Sequence, residues 1–381
     1  VTDPSSYEIR MTFHEGCSID FPMPAAAKFE GDSDLYAKRN YIASLVGADT
    51  LHWERVTGDS VGIAVVDTGI WGDKGKSDYL VKSGWGTERV YGHYDAIKDT
   101  ALVIKSNSDK HGHGSHVTSI ILSSRHKDSE YNGIAPDANL VAVRAFNDDG
   151  AGTYADVIRG LDWILSNKDP LGIRVVNLSF SAEPQSYYWD DPLNQAVMAL
   201  WRAGLVVVAS AGNTGPGAMT IGVPGNVPYV ITVGALTDNV TPMDWSDDTL
   251  ASFSSAGPTV EAFVKPEVVA PGGHVRGLMD PTNKLARTHP HFHDGDSYYT
   301  MSGTSQAAAV VSGAAALLLQ AEPWLTPDQV KCRLMSTARP ALDTAGNLAY
   351  SVFQQGAGMI DAYAAANGSR HSCANVGLDI E

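Results

Sequence analysis

The chain of 381 residues has an apolar share of 44% and a charged share of 18%, with 37 Gly and 19 Pro, which excludes a disordered, collagen-like or coiled-coil protein. Its 27 Lys and Arg against 43 Asp and Glu give a net charge of −16 with no basic block, which argues against nucleic acid or an anionic membrane as partner. Cys17, Cys332 and Cys373 are too few for a disulfide scaffold and lack the paired spacing of a zinc site.

In chain order, residues 1–44 read as an irregular arm with Pro4, Pro22, Pro24 and a polar run from Glu30 to Asp34, ending in a short helix. No basic start with an apolar signal core follows Val1, so secretion is not read directly. From Val61 onward, short β-branched runs alternate with amphipathic stretches, the pattern of a parallel sheet flanked by helices. The predicted strands are Val61 to Val66, Leu140 to Ala145, Arg174 to Phe180, Leu205 to Ala209 and Tyr229 to Gly234, apolar on both faces. Between them, Tyr154 to Leu165 and Leu193 to Ala203 have the spacing of crossover helices. Thr326, Pro327 and Asp328 form a helix start for Gln329 to Ala338. The longest apolar stretch, Ala307 to Leu319, is interrupted by Ser312 and Gly313 and falls short of the roughly 20 residues a membrane span needs. The expected organisation is an arm at 1–44, a single catalytic-sized domain at 45–365 and a tail at 366–381, with a Cys332–Cys373 bond as one way to tie the tail to the preceding helix.

Three segments place polar residues where packing alone would not. The run Gly62 to Val66 ends in Asp67, and a carboxylate at the C-terminal edge of a parallel strand lies where open α/β sheets put their ligands, although a turn cap is the plainer use. His111, His113 and His116 sit among glycines before an apolar run, which suits an imidazole at the start of a buried helix or, with partners not evident here, a metal site. Ser305 opens the longest apolar helix, where unpaired N–H groups favour an oxyanion; a simple N-cap is the alternative. Together an Asp, a His and a Ser supply orienting carboxylate, general base and nucleophile, and the order Asp67, His113, Ser305 separates this chain from two other arrangements of the same triad.

That order, with Asp67-Thr68-Gly69, His113-Gly114-Ser115-His116, Ser210-Ala211-Gly212-Asn213 and Gly303-Thr304-Ser305, resembles the subtilisin-like serine proteases, the subtilases, over about residues 45 to 365. The resemblance implies a three-layer α/β fold with a mostly parallel sheet and helices on both faces. It implies an endopeptidase working through an acyl-enzyme, with Asp67, His113 and Ser305 as triad and Asn213 as oxyanion donor. It further implies a substrate-pairing strand with Leu178, Ser179, Phe180 and Ser181, a pocket with Ser210, Ala211, Gly212 and Gly222, and a cis Val223–Pro224 bond. A glycine at 222 leaves depth for a large apolar or aromatic side chain, whereas Ser181 narrows the entrance.

By the same resemblance the protein is extracellular and monomeric, acts on proteins or peptides, meets a propeptide or protein inhibitor, needs no cofactor for catalysis and binds structural calcium. Asp148-Asp149, Asp190-Asp191, Asp247-Asp248 and Asp294-Gly295-Asp296 offer oxygen ligands, but each also reads as a solvated turn, and no ligand is assigned. The run His289 to His293 reads as a surface loop before Ser305, and sequons stand at Asn239 and Asn367. Gln306 and Ala309 replace a Met and a Pro usual in the family. These departures keep open a silent fold used for binding, and the acyl-enzyme chemistry also fits a peptide ligase or esterase.

Overall fold

The computed structural model describes residues 8–10, 41–72, 75–127, 130–237 and 247–380. The strands are β1 (Glu8–Arg10), β2 (Gly62–Asp67), β3 (Val90–Asp95), β4 (Thr100–Ala101), β5 (His126–Lys127), β6 (Glu130–Tyr131), β7 (Asn139–Arg144) and β8 (Ala151–Thr153). They continue as β9 (Ile173–Leu178), β10 (Val206–Ser210), β11 (Ile231–Thr237), β12 (Thr249–Leu250), β13 (Val268–Pro271), β14 (Val275–Leu278) and β15 (Tyr298–Met301).

One sheet runs in the order β12-β11-β10-β9-β2-β7-β3-β4, with β13 beside β11. The pairings among β3, β7, β2, β9, β10, β11 and β13 are parallel, and the edge strands β12 and β4 run antiparallel. The five predicted strands are β2, β7, β9, β10 and β11. Their Val and Ile residues are buried, and every residue of β2 and β10 is out of solvent, as a sheet covered on both faces requires.

Helices His113–Leu122 and Thr304–Ala321 pack together against this sheet, and Tyr154–Asn167 and Pro192–Arg202 form a second packed pair. Their starts have local causes. Thr153 Oγ1 accepts the Asp156 N–H at 3.1 Å, Asp191 Oδ1 accepts the N–H groups of Leu193 and Asn194, and Thr326 with Gln329 closes a capping box ahead of Pro327–Ser336. The helix Thr304–Ala321 is long and apolar enough to cross a membrane, yet 89% of it is buried as the central core helix of the fold.

After β2 the chain adds β3 and β7 on one side, then crosses to β9, β10 and β11 on the other. The order therefore reverses at the β2–β9 pair, and the crevice beyond the carboxyl ends of those strands is where the site residues gather. At the far end, a Cys332–Cys373 disulfide ties the tail to the helix Pro327–Ser336. Of the arm, Glu8–Arg10 forms β1 against β8, and residues 41–44 enter the helix Ile42–Leu45 with Ile42, Ala43 and Leu45 buried. The rest of the arm, Cys17 and Asn239 lie outside the described residues.

Candidate active site

Asp67 is the last residue of β2 and is buried, with one oxygen accepting the Thr68 N–H at 2.7 Å. His113 is the first residue of its helix, and its Nδ1 lies 2.8 Å and 2.9 Å from the two Asp67 carboxylate oxygens. With Nδ1–H donated to a carboxylate, Nε2 is left as the basic nitrogen. The two neighbouring histidines are unsuited to that task. Burial, then the charge of nearby His113, pushes His111 down to about 4 and His116 down to about 3, and the His116 Nε2 contacts the Tyr299 carbonyl at 3.0 Å.

A residue not singled out in the sequence holds these two segments together. Asp109 is fully buried and accepts from Thr68 Oγ1 (2.9 Å), the N–H groups of His111 (3.0 Å) and Gly112 (2.7 Å), and both the N–H (2.8 Å) and hydroxyl (2.6 Å) of Ser115. Thr68 Oγ1 in turn accepts the Gly114 N–H at 2.9 Å. The start of the His113 helix is thereby clamped to the turn after Asp67. An Asp a few residues before a glycine-rich helix start is a capping signal, and that was the available clue.

Ser305 is the second residue of the central helix, and its hydroxyl donates to the Ser179 carbonyl at 2.9 Å while the Ser179 hydroxyl donates back to the Ser305 carbonyl at 2.9 Å. Asn213 is oriented by Thr304, whose N–H and hydroxyl both donate to Asn213 Oδ1 at 2.9 Å. Its oxygen is thereby fixed, and Asn213 lines the cleft. His113, Ser179, Phe180, Ser181, Ser210, Gly212, Asn213 and Ser305 line one cleft, together with Ser302, Thr304 and Gln306. Three of the expected binding residues, Leu178, Ala211 and Gly222, are not among those lining it. Leu178 and Ala211 are fully buried and support the wall from behind, and the Ala211 carbonyl accepts the Gly222 N–H at 3.1 Å.

Gly222 sits behind Ser181, and a Cβ on it would collide with the Ser181 hydroxyl. The Ala182–Val223 bridge closes the same corner, and the Val223–Pro224 bond is cis. The depth expected from a glycine is thus occupied by the Ser181 side chain. Gln306 is buried, with its amide nitrogen 3.5 Å from His116 Nδ1, and Ala309 continues an unbroken helix.

Five of the acidic residues that offered oxygen ligands have other partners. Asp148 pairs with Arg144, Asp149 with Lys284 and Asp296 with Lys76, while Asp191 caps a helix and Asp294 accepts three backbone N–H groups. Among the described residues no group of three or more His, Cys, Asp or Glu is placed to hold a metal ion. The expected loop holds a 3-10 turn at Pro290–Phe292, and His293 pairs with Tyr299 in an antiparallel bridge, its Nε2 3.1 Å from the Met279 carbonyl.

Residues 58–358 match the subtilase family. The chain belongs to that family. This subtilase is 40% identical over 284 residues to the serine protease AprX of Bacillus subtilis (strain 168), a match covering 73% of this chain and 61% of AprX. To subtilisin DY of Bacillus licheniformis it is 33% identical over 328 residues, covering 86% of this chain and 98% of the other. Among solved structures, a cold-adapted subtilisin-like serine proteinase superposes with a TM-score of 0.56 at 29% identity, covering 77% and 88%. Fervidolysin from Fervidobacterium pennivorans, a keratinolytic enzyme related to subtilisin, gives 0.66 at 26% identity, covering 87% of this subtilase and 46% of that chain. The three-layer α/β fold expected from the sequence is the fold of these relatives.

Proposed function

We propose that this subtilase is a serine endopeptidase that hydrolyses internal peptide bonds through an acyl-enzyme. The observation that carries the reading is the buried Asp67–His113 pair opening on the same cleft as Ser305 and Asn213. Ser305 Oγ turns from the Ser179 carbonyl toward His113 Nε2, gives up its proton and attacks the scissile carbonyl. Asp67 fixes the imidazole and stabilises its charged form, and His113 returns the proton to the leaving amine. Water then takes the amine's place, with His113 again as base, and the acyl-enzyme is hydrolysed. The Asn213 amide and the Ser305 N–H receive the oxyanion; both are set in advance, the first by Thr304 and the second by its place in the first helical turn. No cofactor takes part.

In this reading residues 45–365 are the catalytic domain, 1–44 an arm and 366–381 a tail. The Cys332–Cys373 disulfide supports an oxidising, extracellular setting. Peptide mass spectrometry after treatment with a fluorophosphonate tests the centre of the proposal. A single adduct on Ser305 is expected; no adduct on folded protein would replace the peptidase reading by a binding one, and preferential aminolysis of a peptide ester would make it a ligase. Asn213→Ala is expected to lower kcat by about a hundredfold or more, roughly 3 kcal/mol of barrier, a magnitude known from subtilisin itself, with little change in KM.

A further inference from the structure

Lys265 and Glu267 stand just ahead of β13, Lys331 is in the helix Pro327–Ser336, and all three are buried. The Lys265 ammonium has three N–H bonds and three acceptors: the Val230 carbonyl at 3.1 Å, Thr232 Oγ1 at 2.9 Å and the Glu267 carboxylate at 2.9 Å. Lys331 Nζ meets Glu267 Oε1 at 2.8 Å, together with the carbonyls of Pro228, Tyr229 and Val230 and, from the tail, Asn375 Oδ1. An apolar cluster of the same volume would serve stability as well as buried ions do, so a cluster this fully paired points to positioning.

What it positions is reached through Thr232, the second residue of β11. Glu267 Oε2 accepts the Thr232 N–H at 2.8 Å, and the Glu267 N–H donates to the Thr232 carbonyl at 3.0 Å. A hydroxyl has one proton, and because Lys265 donates to Thr232 Oγ1, that proton goes to the Gly225 carbonyl, 2.6 Å away. Gly225 lies in the turn that starts at Gly222 and is closed by the Asn226 N–H on the Gly222 carbonyl at 3.0 Å. One side of this turn meets Ser181 at Gly222; on the other, a Cβ on Gly225 would stand 2.8 Å from the Ser210 carbonyl. Ser181 and Ser210 both line the cleft with Ser305.

We infer that the Lys265–Glu267–Lys331 cluster is a specificity-determining support of the primary pocket: the Lys265 ammonium fixes the Thr232 hydroxyl on Gly225 and so holds the turn 222–226 against Ser181 and Ser210. This rests on the peptidase reading of the same cleft. Burial lowers Lys265 to about 7, with the pull of Glu267 opposing and the charge of Lys331 assisting. Loss of that proton leaves two N–H bonds for three acceptors and lets the Thr232 hydroxyl turn to the Lys265 nitrogen instead. The groups facing the ammonium are Glu267, Lys331 and, beyond Asn375, Asp328, whose Oδ1 is 2.6 Å from the Asn375 amide nitrogen. The Tyr229 hydroxyl is turned to the Asp379 carbonyl.

Four proteins decide the matter: the unaltered chain; Lys265→Met, which keeps the Glu267–Lys331 pair; Thr232→Val, which removes the hydroxyl at constant shape; and Thr232→Ser, which restores it. Each is checked for folding by thermal melting. The reading is the ratio of kcat/KM for two peptides that differ only in carrying Leu or Ala in the primary pocket, so that any effect common to both, the titration of His113 included, cancels. At pH 6, Lys265→Met and Thr232→Val are expected to move the ratio about fivefold toward one, whereas Thr232→Ser keeps it. Between pH 6 and 8.5 the ratio of the unaltered chain is expected to move the same way by about threefold, and that of Lys265→Met to stay level. A ratio unmoved by Thr232→Val, or lowered equally by Thr232→Ser, would overturn the inference and leave the cluster a structural brace. A ratio independent of pH in the unaltered chain would overturn the part given to the Lys265 proton. Should Lys265→Met fail to fold, the two Thr232 variants and the pH dependence of the unaltered chain decide. If Ser305 takes no fluorophosphonate, the peptidase reading fails by itself. The ratio of Kd values for the same two peptides, titrated by anisotropy into Ser305→Ala forms of the four proteins, then still tests the cluster.

Discussion

The Ser181 hydroxyl stands against the α-carbon of Gly222, at the corner closed by the Ala182–Val223 bridge. A hydroxyl there removes volume and adds a polar atom, both unfavourable to a large aromatic side chain entering the pocket. Ser181→Gly is therefore expected to raise kcat/KM for substrates with Phe or Tyr in the primary pocket by about tenfold relative to those with Ala, since discrimination by apolar pockets runs at 1–3 kcal/mol. Profiling a matched peptide series with both proteins checks this. An unchanged Phe-to-Ala ratio would mean that Ser181 does not bound the pocket. Thr304 acts at the same scale, since its two hydrogen bonds hold the Asn213 amide oxygen in place.

At the scale of elements, the geometry depends on how the His113 helix meets the end of β2, and Asp109 is the group that joins them. Its carboxylate accepts five hydrogen bonds, and Asp109→Asn replaces one acceptor oxygen by an NH₂ facing donors. The expected loss is about 2 kcal/mol of stability, as for a buried charge-assisted cap. A fall in kcat of about tenfold, with KM unchanged, follows from a small displacement of the imidazole. A positioning role also predicts an altered pH profile of kcat/KM; lower stability with unaltered kinetics would leave Asp109 a purely structural cap.

Much at this scale was legible beforehand. β2, β7, β9, β10 and β11 announce themselves because strands covered on both faces are continuous apolar runs; two of the four site motifs stand at the ends of such runs, and the other two open apolar helices. β3 was not read because Gly92 and His93 interrupt its pattern, and β13 because four residues ending in Pro271 are too few to show a period. Asp109 stands inside a polar run whose one local signal is that of a cap, and β8, an Ala-Gly-Thr segment, does not differ locally from a loop. Their roles come from what the fold brings opposite them.

Among the described residues, His52, His93, His111 and His116 are buried rings that resist protonation. Burial is the main cause in each: His52 and His93 lie below the ordinary 6.5, while His111 falls to about 4 and His116 to about 3, both lowered further by His113. Below pH 6.5 the unfolded chain takes up protons at these positions that the folded chain refuses, so unfolding is favoured as the pH falls. For His111 the effect spans pH 6.5 to about 4, and stability is fully retained only above that window. Each such histidine contributes a slope of about 1.4 kcal/mol per pH unit inside its window.

The buried cluster of Lys265, Lys331 and Glu267 adds little there. Burial raises the Glu267 carboxyl, but the two ammonium groups outweigh it and hold the group below its ordinary 4.5, so its stabilisation is lost only at lower pH. Urea unfolding of the Ser305→Ala protein, which cannot digest itself in the proposed mechanism, is expected to give a ΔG that falls steeply from pH 6.5 to 5. In the double variant His111→Asn with His116→Gln, whose side chains do not titrate, the fall is expected to be shallower by about 2–3 kcal/mol per pH unit, whatever its stability at pH 8. Parallel slopes for the two proteins would mean that these rings are already protonated in the folded state, and that His113 is not distinguished from its neighbours by their burial.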